Sequence, residues 1–276
     1  MKRLFVIVML LLTALSVGGV ILYSVHKAMV TGGGSPEIRF AQEEIAVKTS
    51  TDDQVLLQGV TAEDPEDGDV TDSIMVESIS HFVEKDVVNV TYMAYDSQNH
   101  VARAMRRVRF TDYVSPRFSM SGPMVFSSKN VTEMLNYIEA TDMVDGNISI
   151  KTHASFDDTN TALASPGSHN VELSVANSLG DTARLTIPVL VVEELAHSEK
   201  IPLKTYLAYI SRGSEFDPAF YLANEEQAAA NEYTGERSVQ INSAVNPSLP
   251  GVYAVDYSIV KDDTVTAVTR LIVVVE

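Results

Sequence analysis

Apolar and polar residues alternate in blocks along this chain, and the blocks recur. Val88-Asn89-Val90-Thr91-Tyr92 carries the period-2 pattern of a half-buried strand. Asp96-Ser97-Gln98-Asn99-His100 follows as a polar turn, and Val101 to Phe110 returns as the partner strand. Val171 to Ala176, the turn Asn177-Ser178-Leu179-Gly180-Asp181 and Thr182 to Val192 repeat the hairpin. Pro250-Gly251-Val252-Tyr253 opens a third, which Thr264 to Val275 closes.

Ahead of the first two hairpins stands one corner in two versions. Ala62-Glu63-Asp64-Pro65-Glu66-Asp67-Gly68-Asp69-Val70-Thr71 is answered, 78 residues later, by Ala140-Thr141-Asp142-Met143-Val144-Asp145-Gly146-Asn147-Ile148-Ser149. A period of about 80 residues means tandem copies of one small domain. Further strands are expected at Glu44 to Lys48 and, in one run, Asp69 to Ser80. Val131 to Ile138 reads, like Val55 to Val60, as an extended approach to the corner. In the third copy Phe216-Asp217-Pro218-Ala219-Phe220 replaces the corner, and Glu225 to Asn231 has the composition of a short helix. Short antiparallel strands with regular turn signals and no amphipathic helices between them predict an all-β chain of tandem antiparallel β-sandwiches.

One stretch breaks the alternation. Leu4 to Val25 carries no charge and follows Lys2-Arg3. As helix it would span about 33 Å, enough for a bilayer core of about 30 Å. A cleaved signal peptide is the competing reading, but Tyr23 to Ala28 offers no small-x-small site. The expectation is an uncleaved single-pass anchor in the cell membrane. Lys2 and Arg3 stay on the cytoplasmic side, and the C-terminal bulk lies outside. Residues 1–36 then hold a cytoplasmic stub, the transmembrane helix and the linker Thr31 to Pro36; the domains run 37–113, 114–193 and 194–276.

Charge and composition remove several functions. Without Lys2 and Arg3 the remainder holds 18 Lys and Arg against 37 Asp and Glu, a surface that repels phosphate backbones, so nucleic acid is not expected as a partner. With no cysteine there are no disulfides, metal thiolates or cysteine nucleophiles. The six histidines, His26, His81, His100, His153, His169 and His197, are scattered without zinc-site spacing. No Gly-x-Ser-x-Gly elbow is present, and no enzyme is expected. Arg103, Arg106, Arg107 and Arg109 form the one basic cluster. It suits an acidic partner, but a solvated strand face that discourages edge pairing explains it more simply. Tyr92, Tyr95, Tyr253 and Tyr257 read as core or rim packing rather than a sugar platform, and there is no Trp.

The candidate metal site is the acidic corner Asp64, Glu66, Asp67 and Asp69, whose carboxylates suit calcium, with Asp96 or Asp112 to complete the shell. Against it, Asp-Gly is the ordinary turn dipeptide, and the second copy keeps the corner with fewer carboxylates. What the two copies share is turn geometry. No other cofactor is expected.

Asp64-x-x-Asp67-Gly68-Asp69-Val70-Thr71, followed by the strand ending Tyr95-Asp96-Ser97-Gln98-Asn99-His100-Val101-Ala102, resembles the bacterial immunoglobulin-like repeats of cell-surface proteins. That family includes the domain found in certain pesticidal crystal proteins and is similar to hyalin-type and cadherin-like repeats. The likeness covers roughly residues 40 to 192; in the third copy only Pro250-Gly251-Val252-Tyr253 remains of it. It implies immunoglobulin-like sandwiches with spacing or adhesive roles and no catalysis. The expected function is therefore a non-enzymatic, membrane-anchored stalk or binding module that meets an extracellular protein or glycan. The alternatives are a calcium-stiffened glycan- or protein-binding module, or an accessory subunit of a cell-wall or secretion complex.

Overall fold

A computed structural model describes residues 13, 15–24, 34–50, 52–156, 165–193, 201–223, 238–261 and 264–276. The chain forms two compact units, Met1–Thr111 and Asp112–Glu276. Apart from the helical residues 15–24, the described secondary structure is almost all strand, joined by single helical turns.

The first unit holds one β-domain. Its strands are β1 (Glu37–Phe40), β2 (Glu44–Val47), β3 (Val60–Asp64), β4 (Gly68–Asp69), β5 (Met75–Ile79), β6 (Val87–Tyr95) and β7 (Val101–Phe110). They make a three-stranded sheet, β1-β3-β4, and a four-stranded sheet, β2-β7-β6-β5. The alternation does what the sequence requires of it: Val88, Val90, Tyr92 and Ala94 of β6 are fully buried.

The expectation of purely antiparallel sheets needs correction. β2 runs parallel to β7, with Ile45 opposite Val108. The first stretch of the domain pairs with β3, breaks over residues 41–43 and then crosses to the other sheet beside the last strand. A parallel pair needs a long connection, and here the rest of the domain supplies it.

Two further expectations fail for local reasons. The single strand Asp69 to Ser80 is interrupted by a 3₁₀ turn at Thr71–Ser73. Thr71 turns the chain there: its N–H donates to Asp69 Oδ1 (2.9 Å), and its hydroxyl oxygen accepts from the Ala62 N–H (3.1 Å). The approach to the first corner is not extended either, because Asp53–Leu56 is a helical turn capped by Asp52, whose side chain accepts from the Gln54 N–H.

The second unit holds the other two domains. In the first of these, β8 (Arg117–Met120), β9 (Val125–Ser127), β10 (Ile138–Asp142), β11 (Gly146–Asn147), β12 (His153–Phe156), β13 (Gly167–Ala176) and β14 (Thr182–Val192) repeat the plan. The sheets are β11-β10-β8 and β12-β13-β14-β9, again with one parallel pair, β9 with β14. Val131–Tyr137 is 3₁₀ helix, not extended, and it buries Val131 and Met134, three residues apart as a three-residue turn dictates.

The last domain keeps one full sheet, β15-β18-β17-β16, built from β15 (Leu207–Ile210), β16 (Ser238–Ser243), β17 (Gly251–Lys261) and β18 (Thr264–Val275). β15 pairs parallel with β18. Among the described residues a single bridge, Leu203 to Leu222, stands where the others have a second sheet, and Pro218–Tyr221 forms a 3₁₀ turn in place of the corner. Glu225 to Asn231, expected as a helix, lies outside the described residues.

These two domains share their interior. Leu207 and Ile272 of the last domain belong to the core built by Phe118, Met134, Leu173 and Ile187 of its neighbour. Arg270, 4% exposed, fastens the joint. It holds the Asp256 carboxylate through Nε (2.7 Å) and Nη2 (2.8 Å), while Nη1 donates to Ser168 Oγ (2.9 Å) and the Pro188 carbonyl (3.2 Å) across the domain boundary.

Candidate functional site

The acidic corner is built by hydrogen bonds from its own chain. Asp64 Oδ1 accepts from the N–H groups of Glu66 (2.8 Å) and Asp67 (3.0 Å), which folds the turn back on itself. Asp67 accepts from the Ser97 N–H (2.6 Å) and hydroxyl (3.0 Å), tying the corner to the turn between β6 and β7. Glu66 Oε2 accepts from the Gln98 amide at 2.7 Å. Hydrogen bonds from Thr71, first its hydroxyl and then its N–H, hold the Asp69 carboxyl below its ordinary pKa. Thus the four candidate calcium ligands lie together at one corner, each with a donor of its own. Among the described residues no group of three or more His, Asp or Glu side chains is arranged to hold a metal ion. Gly68 closes the turn with φ +74°, and a Cβ there would meet nothing within 4 Å; backbone conformation, not space, calls for glycine.

The second corner repeats the bonds of Asp64, Asp67 and Asp69 but not that of Glu66, whose place Val144 takes. Asp142 Oδ1 accepts from Val144 (2.8 Å) and Asp145 (2.9 Å), and Asp145 accepts from the Ser178 N–H (2.8 Å) and hydroxyl (2.6 Å). The Ser178 hydroxyl leads in holding the Asp145 carboxyl below its ordinary pKa, and Lys151 adds to it.

The copies part at the turn residue beneath. Asn177 and Asp96 each accept two backbone N–H bonds through Oδ1, from Leu179 and Asp181 in one case and from Gln98 and His100 in the other. The second oxygen or nitrogen differs. Asn177 Nδ2 donates to Asp142 Oδ2 (3.1 Å) and to the Tyr113 hydroxyl (2.8 Å), which in turn donates to Asp181 Oδ2 (2.7 Å). Burial, and after it the bond to Asp181, raises the Tyr113 pKa above its ordinary value. Asp96 has no N–H to give: its Oδ2 meets His100 Nδ1 at 2.6 Å. Asp64 Oδ2, the counterpart of Asp142 Oδ2, is buried with no hydrogen-bond partner among the described residues. The alternation pattern gave no sign of this network, since Tyr113 lies in a stretch without strand periodicity.

The other candidates are placed as follows. Arg103, Arg107 and Arg109 share the outer face of β7, paired with Glu77 (2.8 Å), Glu44 (3.0 Å) with Glu84 (2.9 Å), and Glu44 (2.9 Å). Arg106 points the opposite way and is 2% exposed. Tyr92 and Tyr257 are fully buried and donate to the carbonyls of Leu56 (2.8 Å) and Pro218 (2.7 Å); Tyr95 is exposed, and Tyr253 donates to Leu249. His81, His100, His153 and His169 lie apart from one another in sequence and on different elements, and His26 and His197 fall outside the described residues.

A cleft of about 390 Å³ opens within the second unit where its two domains meet, lined by Arg117, Phe118, Arg184, Leu185, Tyr209 and Glu276 among others. The Arg117 guanidinium lies 4.8 Å from the Tyr209 ring centre, and its Nη2 holds both oxygens of the Glu276 carboxylate (3.1 and 3.0 Å). Its residues come from four separate stretches of sequence, so no motif could announce it.

No protein-family model matches the chain, and no curated protein matches it. Solved structures give slight likenesses. The CBM51-2 domain in complex with GlcNAc and the INT domains from Clostridium perfringens ZmpB are 17% identical, with 54% of this chain and 26% of that one covered and a TM-score of 0.23. A lipoprotein from Bacteroides thetaiotaomicron is 13% identical over 86% of this chain and 98% of that one, with a TM-score of 0.19. The Protocadherin GammaB4 extracellular domain is 10% identical over 88% and 50%, also at 0.19. The chain spans less than a third of the two ZmpB structures it matches. At such scores the likeness assigns no role to any residue.

Proposed function

We propose that this chain is a non-enzymatic, membrane-anchored protein whose tandem β-sandwich domains stand outside the cell as a stalk or binding module. The observation that carries the anchor is the helical stretch 15–24. There Leu15, Val17, Val20, Ile21, Leu22 and Tyr23 are all more than half exposed. In water, apolar surface of that kind costs about 25 cal/mol per Å², whereas in lipid it is at ease. Its serine hydroxyls need no water: Ser24 Oγ donates to the Val20 carbonyl (2.8 Å) and Ser16 Oγ to that of Thr13 (2.9 Å). Among the described residues no helix is long and apolar enough to cross a membrane, and half of Leu4 to Val25 lies outside them.

Chemistry supports the reading as a stalk. Catalysis needs polar groups free to act on a substrate, and the corners direct theirs into turns. For binding, the cleft beside Arg117 is one candidate place: a carboxylate already sits on the guanidinium, so an acidic group of a glycan or protein could replace Glu276 there. Flotation tests the anchor. The full chain, mixed in detergent with phosphatidylcholine and dialysed, is expected to float with the vesicles and to resist carbonate washing. A form lacking residues 1–30 should stay in the dense fraction. Full chain that washes off, or a truncated form that floats equally well, would sink the proposal.

A further inference from the structure

Arg106 occupies a core position that the other two domains give to an aliphatic side chain. It pairs across the hairpin with Val90 as Ile187 pairs with Val171 and Leu271 with Val255, and both counterparts are fully buried. A buried cation normally needs a carboxylate, yet Arg106 has none among the described residues. Its guanidinium packs against the rings of both Phe40 (5.5 Å) and Tyr92 (5.2 Å), which touch each other with centres 5.4 Å apart. Nη1 donates to the Gln58 carbonyl (2.9 Å), and Nη2 donates to the Leu56 carbonyl and the Tyr92 hydroxyl. Nε has no partner. Two of its three acceptors therefore belong to the segment 52–58, which joins β2 to β3.

That segment is thinly held by anything else. Leu56 is its one buried side chain, whereas the equivalent turn of the second domain plants Val131 and Met134 in the core. Few buried apolar contacts make a segment open locally, ahead of global unfolding. The geometry points to a strap: residues 52–58 form a conformational latch over the first domain, fastened by the Arg106 guanidinium and released as a unit, uncovering the rings of Phe40 and Tyr92. Arg106 is a positioning residue in this device. Its charge-assisted bonds fix where the strap lies, and the domain core tolerates an aliphatic residue at its place, as its two siblings show.

Hydrogen exchange on the full chain separates a latch from a simple core residue. The reporters are the amides of Val55, Gln58 and Val60, which bond to Asp52, Val55 and Leu57 within the strap. In Arg106→Leu they are expected to exchange at least about tenfold faster, the equivalent of about 1.4 kcal/mol, while the amides of β6 and β7 and the melting temperature hold. Equal acceleration throughout the domain, or none in the strap, would overturn the proposal. Should Arg106→Leu not fold, Tyr92→Phe removes one bond to Leu56 and one to Arg106, and it must show the same local acceleration. If it does not, the latch is refuted.

Discussion

Arg270→Ala is expected to cost the second unit about 2–3 kcal/mol, less than breaking a fully buried ion pair because the Asp256 left behind is partly exposed. The loss has three parts. Asp256 keeps its charge in a site it shares with no other cation among the described residues. The Pro188 carbonyl and the Ser168 hydroxyl lose a donor across the domain boundary. The space left under the strands adds a cavity term. Because Leu207 and Ile272 sit in the neighbouring core, the two domains should still melt together, only earlier. The first unit's own transition should not move. Guanidinium unfolding followed by exchange reads both units at once; a cost below about 1 kcal/mol would mean the joint is not held as described.

The second large effect comes from exchanging the residues that distinguish the two corners. Asn177→Asp keeps both accepted N–H bonds but turns the donor toward Asp142 Oδ2 and Tyr113 into an acceptor. Two carboxylates then face each other at a site where Asn177 is 6% and Asp142 8% exposed. Lost hydrogen bonds and like-charge repulsion together should cost about 3 kcal/mol. The reverse change in the first copy, Asp96→Asn, should stabilise its domain by about 1 kcal/mol, since Asp64 Oδ2 gains the donor it lacks while the contact to His100 weakens. Opposite signs from the paired substitutions are the signature to look for in denaturant midpoints. A neutral Asn177→Asp would contradict the network.

These two sites also mark where the sequence stops being readable. Hairpins and corners announce themselves, because alternation and an Asp-Gly turn are local and repeat at a fixed period. Val88 to Ala94 and Val171 to Val175 are buried in the order their pattern requires. Parallel pairs such as β2 with β7 leave no such mark, since no tight turn connects them. Arginines at strand positions read as polar faces. Arg103, Arg107 and Arg109 behave so, but Arg106 and Arg270 are buried, and only their tertiary partners explain why. The acidic run Asp64 to Asp69 reads from sequence first as a turn and second as a cation site; in the fold Asp64 and Asp69 take donors from the corner itself, and Asp67 and Glu66 take theirs from Ser97 and Gln98 in the facing turn. A comparison of Asp96 with Asn177 held the clue, but its meaning depended on knowing that Asn177 meets the buried Asp142.

The central claim, a chain held in the membrane by its first helix with its β-domains outside, meets its most direct test in topology. The protein has no cysteine, so a single introduced thiol reports on one place only. Ser119→Cys, on the exposed side of β8, should react with a membrane-impermeant maleimide in intact cells, and Lys2→Cys should react only after lysis. Protection of Ser119→Cys in intact cells, or labelling of Lys2→Cys without lysis, would contradict it.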